Sequence, residues 1–188
     1  MHCAKILKAE KIYGKTLVLR DATVSDAEFI FSLRTNAKKS KYISTISDDL
    51  ENQKKWLIEY QKRTDQAYFI IEDKLDIKLG TVRLYGARDN VFCWGSWILS
   101  ENSPVNAAIE SALMVYVFAT QSLGFSGAYF QVNKTNTRVC VFHERFGAVR
   151  VAEDLTQYEY EISNSAIQAS IERYRRYLPH HIRFEETI

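Results

Sequence analysis

The chain has few cysteines and no marked excess of charge. Its three cysteines, Cys3, Cys93 and Cys140, form no Cys-x-x-Cys pair and no cluster with metal-ligand spacing. This argues against a disulfide framework and a bound metal ion, and it predicts reduced thiols. The 25 Lys and Arg residues nearly balance the 23 Asp and Glu residues, and no basic block stands out. A nucleic-acid partner is therefore not expected.

Long apolar runs are also absent. The N-terminus has no apolar segment suited to a signal peptide, and no stretch approaches the length of a membrane span. Together with the reduced thiols, this predicts a cytoplasmic protein without a membrane partner. The 188 residues include 46% hydrophobic residues and no repeat or linker. They are expected to form a single domain, 1–188.

One long, mostly apolar helix is the strongest element of the sequence. An aromatic, strand-like segment at 92–99 leads through polar residues into a helix from Pro104 to about Gln121. Pro104 suits a first helical turn because its missing amide hydrogen would have no partner there. Since only Glu110 and Ser111 are strongly polar between Ala107 and Ala119, the helix is predicted to be buried on more than one side.

The start of this helix is a candidate anion site. Unpaired amides and the helix dipole both attract negative charge at a helix N-terminus. The amides concerned are those of Asn106, Ala107, Ala108 and Ile109. The same pattern is also typical of a plain core helix in an α/β domain, and spacing alone does not separate the two interpretations.

The rest of the chain predicts alternating helices and strands. Capping-box spacing at Ser25–Glu28 and a similar signal at Asp48–Glu51 indicate two early helices. The predicted elements are a strand at 16–20, helices at 25–35 and 48–63, strands at 67–72, 77–85 and 90–99, the central helix, a strand at 128–132, a helix at 135–146, strands at 149–152 and 158–162, and a terminal helix at about 164–178.

This order predicts the α/β class, with a central mixed, mostly antiparallel sheet and helices on both faces. The central helix would join two neighbouring strands as a right-handed crossover, so those two strands should be parallel.

Two segments carry a resemblance to a known family. One is Trp94-Gly95-Ser96-Trp97-Ile98-Leu99 with the helix after it; the other is Asn136-x-x-Val139-x-x-Phe142-His143-Glu144-Arg145-Phe146-Gly147-Ala148. With the opening pattern Leu19-Arg20, Asp26-Ala27, Leu33-Arg34 and Asn36, the chain resembles the GNAT superfamily of acetyl-CoA-dependent N-acetyltransferases over residues 17–162. It is most similar to the branch of ribosomal-protein alanine and sugar-nucleotide amine acetyltransferases.

The resemblance implies a GNAT-like fold, acetyl-CoA as co-substrate and no metal. In the family, the strand at Trp97, Ile98 and Leu99 binds the pantetheine arm, and the loop at 106–109 cradles the pyrophosphate. Asn136 begins the second family helix. One departure concerns the loop pattern Gln/Arg-x-x-Gly-x-Gly/Ala, whose positions fall on Asn102, Val105 and Ala107. Valine in place of the first glycine predicts weaker or differently angled cofactor binding, or a lost activity.

Two residues are candidates for catalysis. His143 stands seven residues after Asn136, where the family often has a tyrosine that donates to the thioester sulfur. Imidazole titrates near neutrality and can donate a proton, but a solvated helix histidine fits the same position. Glu110 is a candidate base; a carboxylate partner of the helix dipole is the alternative.

Five residues are candidates for binding the acceptor. Arg34 and Arg83 suit an anionic acceptor because guanidinium grips phosphate in a bidentate fork, although surface ion pairs fit equally well. Aromatic residues, alternatively part of the core, complete the predicted acceptor wall: Tyr42, Trp56 and Trp94.

The resemblance therefore implies transfer of an acetyl group to a primary amine of a small anionic metabolite, such as an amino-sugar nucleotide. Two alternatives stay open: a non-catalytic CoA-binding or scaffold module, and a protein N-terminal acetyltransferase, for which Asp48, Asp49 and Glu51 supply acidic side chains. A homodimer is one option for the assembly.

Overall fold

A computed structural model describes residues 4–36 and 49–186. The helices are α1 (Ala27–Thr35), α2 (Leu50–Lys62), α3 (Ala107–Val117), α4 (Thr137–Arg145) and α5 (Asn164–Arg173). The strands are β1 (Ala9–Tyr13), β2 (Leu17–Asp21), β3 (Ala67–Asp73), β4 (Lys78–Arg88), β5 (Val91–Leu99), β6 (Gly127–Asn133), β7 (Val149–Glu153), β8 (Gln157–Ser163) and β9 (Arg183–Glu186).

The described strands form a single mixed sheet in the order β7-β8-β6-β5-β4-β3-β2-β1-β9. The strand pairs are antiparallel except for β5 and β6, which are neighbours and run parallel. Helix α3 connects these two strands, as the crossover argument predicts. The predicted fold class is therefore confirmed.

Helices cover both faces of the sheet. On one face, α3, α4 and α5 enclose the larger core, which includes Phe69, Phe92 and Phe130 from the strands. On the other face, α1 and α2 pack on a smaller core around Tyr60, Tyr68 and Ile70. Alternate residues of β3 thus point to opposite cores, as pleated strands require. Every described helix falls short of the length and apolarity needed to cross a membrane.

Three details differ from the sequence prediction. Strands β1 and β9 pair with each other at the edge of the sheet, whereas the prediction gave neither. Each is short, and they are far apart in the chain, so no local pattern marks the pairing. The β4–β5 turn lies at Asp89 and Asn90, which both have positive φ, rather than at the predicted 86–89. Gly86, which resembles a turn residue, instead lies in a register shift within β4.

The central helix begins at Ala107 and not at the predicted Pro104, and it changes its hydrogen bonding near the predicted end. It is α-helical from Ala107 to Val117 and π-helical from Phe118 to Ser122. The terminal helix is likewise shorter than predicted, ending at Arg173 and followed by a 3₁₀ turn at Arg175–Tyr177.

An ion network contains Arg20 and Asp26, two residues of the N-terminal pattern that resembles the family. Arg20 donates to both oxygens of Asp26, at 2.9 and 3.0 Å, and to Glu72 at 2.8 Å. Burial would raise the pKa of Asp26, but hydrogen bonds from Arg20, Lys78 and the Thr23 amide outweigh it and lower the pKa to about 2. The network therefore joins β2, β3, β4 and the start of α1, which fixes the α1 side of the sheet.

Candidate active site

The parallel pair β5–β6 separates soon after it begins. The two strands pair only over Val91–Cys93 and Gly127–Tyr129, although β5 continues to Leu99 and β6 to Asn133. Beyond Cys93, β5 therefore has no ladder partner in β6. A β-strand edge of this kind offers backbone donors and acceptors to an extended ligand. The predicted pantetheine residues Trp97, Ile98 and Leu99 lie on this part of β5.

A β-bulge lies at the same place. Ser96 and Trp97 together oppose Val82, because the ladder passes from Arg83–Gly95 to Thr81–Ile98. Ser96 adopts a φ of 47°, which is uncommon for a residue with a side chain. The hydroxyl of Thr81 donates to the Ser96 carbonyl at 2.7 Å and holds this conformation. The bulge thus turns the backbone of β5 away from the regular β4–β5 ladder. It lies next to the gap where β5 and β6 separate, which we call the opening.

Helix α3 follows the end of β5 after a short loop, and Trp97 of β5 contacts Ser111 in its first turns. Its first intrahelical bond runs from the Glu110 amide to the Asn106 carbonyl, 2.9 Å, and the Ala107 amide donates to the Pro104 carbonyl. The amides of Ala108 and Ile109 precede this first bond and are available to an anion. Val105 is fully exposed, so its side chain does not pack over the helix start.

His143 lies where the two strands separate. Its ring centroid is 5.3 Å from that of Trp94 on β5 and 4.2 Å from that of Phe130 on β6. The side chain is 4% exposed, and burial lowers its pKa to about 3, so the imidazole is neutral at physiological pH. Neither ring nitrogen has a hydrogen-bond partner among the residues described. His143 is therefore not a solvated helix histidine.

Asn136 and Trp97 position the elements around His143. The Asn136 carbonyl accepts from the amides of Val139 and Cys140, each at 3.0 Å, so Asn136 starts the helix that carries His143. The Trp97 indole N–H donates to the Ser111 hydroxyl at 3.1 Å, and its ring lies 5.0 Å from Phe142. Strand β5, α3 and α4 are thereby joined around the opening.

Glu110 is fully buried and fully hydrogen-bonded. Its carboxylate accepts from the Thr16 amide and hydroxyl, both at 2.6 Å, from the Leu17 amide at 3.0 Å and from the Asn106 side chain at 3.2 Å. These contacts turn it toward the β1–β2 turn, away from His143. They favour a structural role, in which Glu110 fixes the start of α3, over the role of catalytic base.

The predicted acceptor residues separate into two places. Arg83 on β4 holds its guanidinium carbon 5.0 Å from the Trp56 ring centre and 4.8 Å from that of Tyr85. Arg83 is paired with Tyr68 across β3 and β4, and Tyr68 belongs to the core under α1 and α2, so both lie on the α1–α2 face. Arg34 on α1 acts electrostatically on both residues. Trp94 points into the opposite core, against Tyr116 and His143. Tyr42 lies outside the described residues.

Other side chains of this region were not singled out in the sequence. Tyr68 lies within the predicted strand at 67–72 and Gln66 lies just before it, and nothing local distinguishes a polar group without a hydrogen-bond partner from one that has a partner. In the part of the chain that the structure describes, no group of three or more His, Cys, Asp and Glu residues is arranged to hold a metal ion.

Comparison with known proteins identifies the family. The model of the acetyltransferase (GNAT) domain matches residues 16–149. Apo FdhC, a nucleotide-linked sugar GNAT, is 40% identical and aligns over 92% of this chain and 98% of its own, with a TM-score of 0.79. The chain therefore belongs to the GNAT acetyltransferase family.

Two further structures share the fold. A GCN5-related N-acetyltransferase from Brucella melitensis is 17% identical, with a TM-score of 0.76 over 95% of this chain and 90% of its own. Spermidine N-acetyltransferase from Vibrio cholerae, in complex with CoA and spermine, is 17% identical, with a TM-score of 0.74 over 81% of this chain and 98% of its own. At this identity the similarity concerns the fold alone. No curated protein matches the chain.

The structural interpretation of Glu110 predicts different effects of two substitutions. Glu110→Ala leaves the Thr16 and Leu17 amides without an acceptor and should lower the free energy of unfolding by about 3 kcal/mol. Glu110→Gln keeps one acceptor oxygen and should be more stable than Glu110→Ala, with a kcat within about threefold of wild type. Chemical denaturation and steady-state kinetics measure both.

The exposed Glu101, in the loop before α3, provides the control. Glu101→Ala should change the free energy of unfolding by no more than about 0.5 kcal/mol. A Glu110→Gln variant that keeps wild-type stability but loses turnover would instead establish Glu110 as a catalytic base.

Proposed function

We propose that the protein transfers the acetyl group of acetyl-CoA to a primary amine on a nucleotide-linked amino sugar. The observation that carries this proposal is the separation of β5 from β6 beside the free amides of α3, with His143 between the strands. Family membership supports the acetyl donor, and the 40% identity to a nucleotide-linked sugar GNAT supports the acceptor class.

The described residues fit the acetyl donor. An extended pantetheine arm can pair with the β5 edge at Trp97–Leu99, and the pyrophosphate can accept from the amides of Ala108 and Ile109. The only acidic side chain in the first turn of α3, Glu110, is turned toward Thr16 and Leu17 and accepts hydrogen bonds from their amides. The substitution of the family glycine by Val105 does not block the helix start, because Val105 points into solvent.

Acetyl transfer requires three contributions from the protein. The amine must be neutral and in line with the thioester carbon, the carbonyl must be polarised, and the departing thiolate must receive a proton. As the C–N bond forms and the C–S bond breaks, the amine loses a proton and the thiolate gains one. Backbone amides beside the Ser96 bulge suit the carbonyl. A neutral His143 can donate a hydrogen bond to the sulfur without itself being charged.

The acceptor assignment depends on charge. Arg34 and Arg83 place two guanidinium groups on the α1–α2 face beside β5, which suits an acceptor that carries phosphate. Of the acidic residues that would favour a peptide N-terminus, Asp49 accepts from the Glu51 amide at 2.9 Å and Glu51 pairs with Lys54 at 2.8 Å, while Asp48 lies outside the described residues. A small anionic amine is therefore preferred over a protein. A homodimer and a cytoplasmic location remain predictions from the sequence.

An acceptor comparison tests this function. Purified protein with acetyl-CoA is given a UDP- or dTDP-linked amino sugar, a peptide that begins with alanine, or spermidine, and free thiol is measured. Thiol release is expected with the sugar nucleotide. Turnover with the peptide alone would mean a protein N-terminal acetyltransferase. Binding of CoA without thiol release from any acceptor would mean a non-catalytic module.

His143 is predicted to assist departure of the thiolate. His143→Phe keeps an aromatic ring in the buried position but removes the nitrogen atoms, so kcat should fall by about tenfold or more while CoA affinity stays unchanged. Because the pKa of His143 is about 3, its protonation should not shape the pH profile. The profile of relative kcat between about pH 5.5 and 8.5 should therefore be the same in the variant and the wild type.

Calorimetry with CoA and kinetics at saturating substrates provide the two readouts. The exposed Val141 on the same helix offers a control, since Val141→Ala should alter neither. Wild-type kcat in His143→Phe would remove His143 from the mechanism.

A further inference from the structure

Three side chains on the α1–α2 face carry buried polar atoms that have no hydrogen-bond partner among the described residues. They are both polar atoms of the Gln66 side chain, the hydroxyl of Tyr68 and the Nε of Arg83, and we call these residues the β3–β4 polar cluster. Gln66 is 1% exposed and Tyr68 is 2% exposed. Buried polar groups are nearly always paired in folded proteins, and leaving them unpaired destabilises the fold. Such a cluster indicates a ligand whose own polar groups complete it.

The sheet register brings these side chains together. Tyr68 is paired directly with Arg83 across β3 and β4, and Ala67 is paired with Leu84. Extended by one residue, this register places Gln66 beside Tyr85, on whose ring the Arg83 guanidinium rests at 4.8 Å. Because residues two apart in a strand share a face, Gln66 and Tyr68 lie on the same side as Arg83.

The cluster is cationic, because the Asp65 carboxylate, which Arg83 influences electrostatically, is paired with Arg63 and not with Arg83. Arg83 forms no ion pair with any residue that the structure describes, and burial lowers the pKa of its guanidinium. Arg34 adds a second positive charge that acts on both Arg83 and Tyr68. A half-buried guanidinium without a carboxylate attracts an anion, and its fork suits phosphate oxygens. The same charges repel a polyammonium ligand.

The cluster also adjoins the candidate active site. Arg83 is paired across β4 and β5 with Gly95, the residue immediately before the Ser96 bulge. The absence of a side chain at Gly95 lets the Tyr85 ring lie close to the strand here, since a Cβ would lie 3.2 Å from the Tyr85 hydroxyl. A molecule held by the β3–β4 polar cluster therefore lies next to the backbone assigned to the acetyl group.

We infer that Gln66, Tyr68 and Arg83 form the specificity site for the acceptor, and that they select a phosphorylated, hydroxyl-rich amine over a polyamine. Arg83 binds the phosphate, while Gln66 and Tyr68 exchange hydrogen bonds with sugar or phosphate oxygens. This inference rests on the proposed function for the identity of the reaction. It adds two residues, Gln66 and Tyr68, to the expected acceptor wall and excludes spermidine-like substrates.

The cationic site also has a consequence for the amine. A nearby positive charge favours the neutral form of an amine, and the neutral form is the nucleophile. The inferred site thus selects acceptors whose amine is weakly basic and therefore already neutral when it binds. Such an amine does not need a strong catalytic base to deprotonate it. This agrees with the engagement of Glu110 in structural hydrogen bonds.

Four substitutions test the site: Gln66→Leu, Tyr68→Phe, Arg83→Gln and Arg83→Lys. The first measurement is calorimetric binding of UDP and dTDP, which carry the diphosphate but no amine, to the unliganded protein. Each substitution should weaken binding of the nucleotide that the wild type binds by about tenfold or more, and Arg83→Lys should restore less than half of the lost binding free energy because it lacks the fork. The control is Gln168→Leu on α5, whose side chain bonds only Asn164 at 3.2 Å.

Stability provides the second readout. Gln66→Leu removes an unsatisfied buried amide, so its melting temperature should equal or exceed that of the wild type while nucleotide binding falls. In the acetylation assay, the acceptor KM should rise by about tenfold or more and the KM for acetyl-CoA should not change. A merely structural role would move stability without this separation of the two KM values.

The outcomes are distinguishable. Wild-type nucleotide binding in all four variants, or no binding of UDP or dTDP by the wild type, would overturn the specificity site. Nucleotide binding that is lost in the variants, in a protein that acetylates no amino-sugar nucleotide, would support the site while refuting the proposed function. Efficient acetylation of spermidine by the wild type would overturn the inferred selectivity.

Discussion

The structure depends on the separation of two parallel strands. If β5 and β6 stayed paired to their ends, their backbone groups would satisfy each other and no extended ligand could pair with β5. They part after Cys93, the Ser96 bulge turns the rest of β5, and Thr81 holds that bulge by a hydrogen bond. The opening is therefore built into the ladder and does not require a loop to move.

The elements around the opening are held from several directions. Glu110 joins the start of α3 to the β1–β2 turn, and the fit is close, since a Cβ on Gly14 would lie 2.7 Å from its carboxylate oxygen. Trp97 joins β5 to α3 through Ser111, while α4 brings His143 against both strands. On the other face, the Arg20–Asp26–Glu72 network fixes the start of α1 relative to the sheet. Rigid surroundings of this kind preorganise a site for transfer chemistry.

Much of this arrangement could be predicted from the sequence because it follows local patterns. An apolar segment after an aromatic strand predicted α3. The order of elements predicted that β5 and β6 are parallel and that helices cover both faces of the sheet. The environments of individual polar side chains could not be predicted in this way. Glu110 and His143 are both buried, but one has four hydrogen-bond donors and the other has none, and that difference arises from residues distant in the chain. The same holds for Gln66 and for the β1–β9 pairing.

Amide hydrogen exchange with and without CoA tests the central claim most directly, because it reports on the backbone groups assigned to the ligand. If the separated edge of β5 and the start of α3 form the donor site, CoA should slow exchange at Trp97–Leu99 and at Ala108 and Ile109. Peptides from β9, at the opposite edge of the sheet, should be unchanged. CoA binding that leaves both expected segments unprotected, or that protects another part of the sheet instead, would contradict the account.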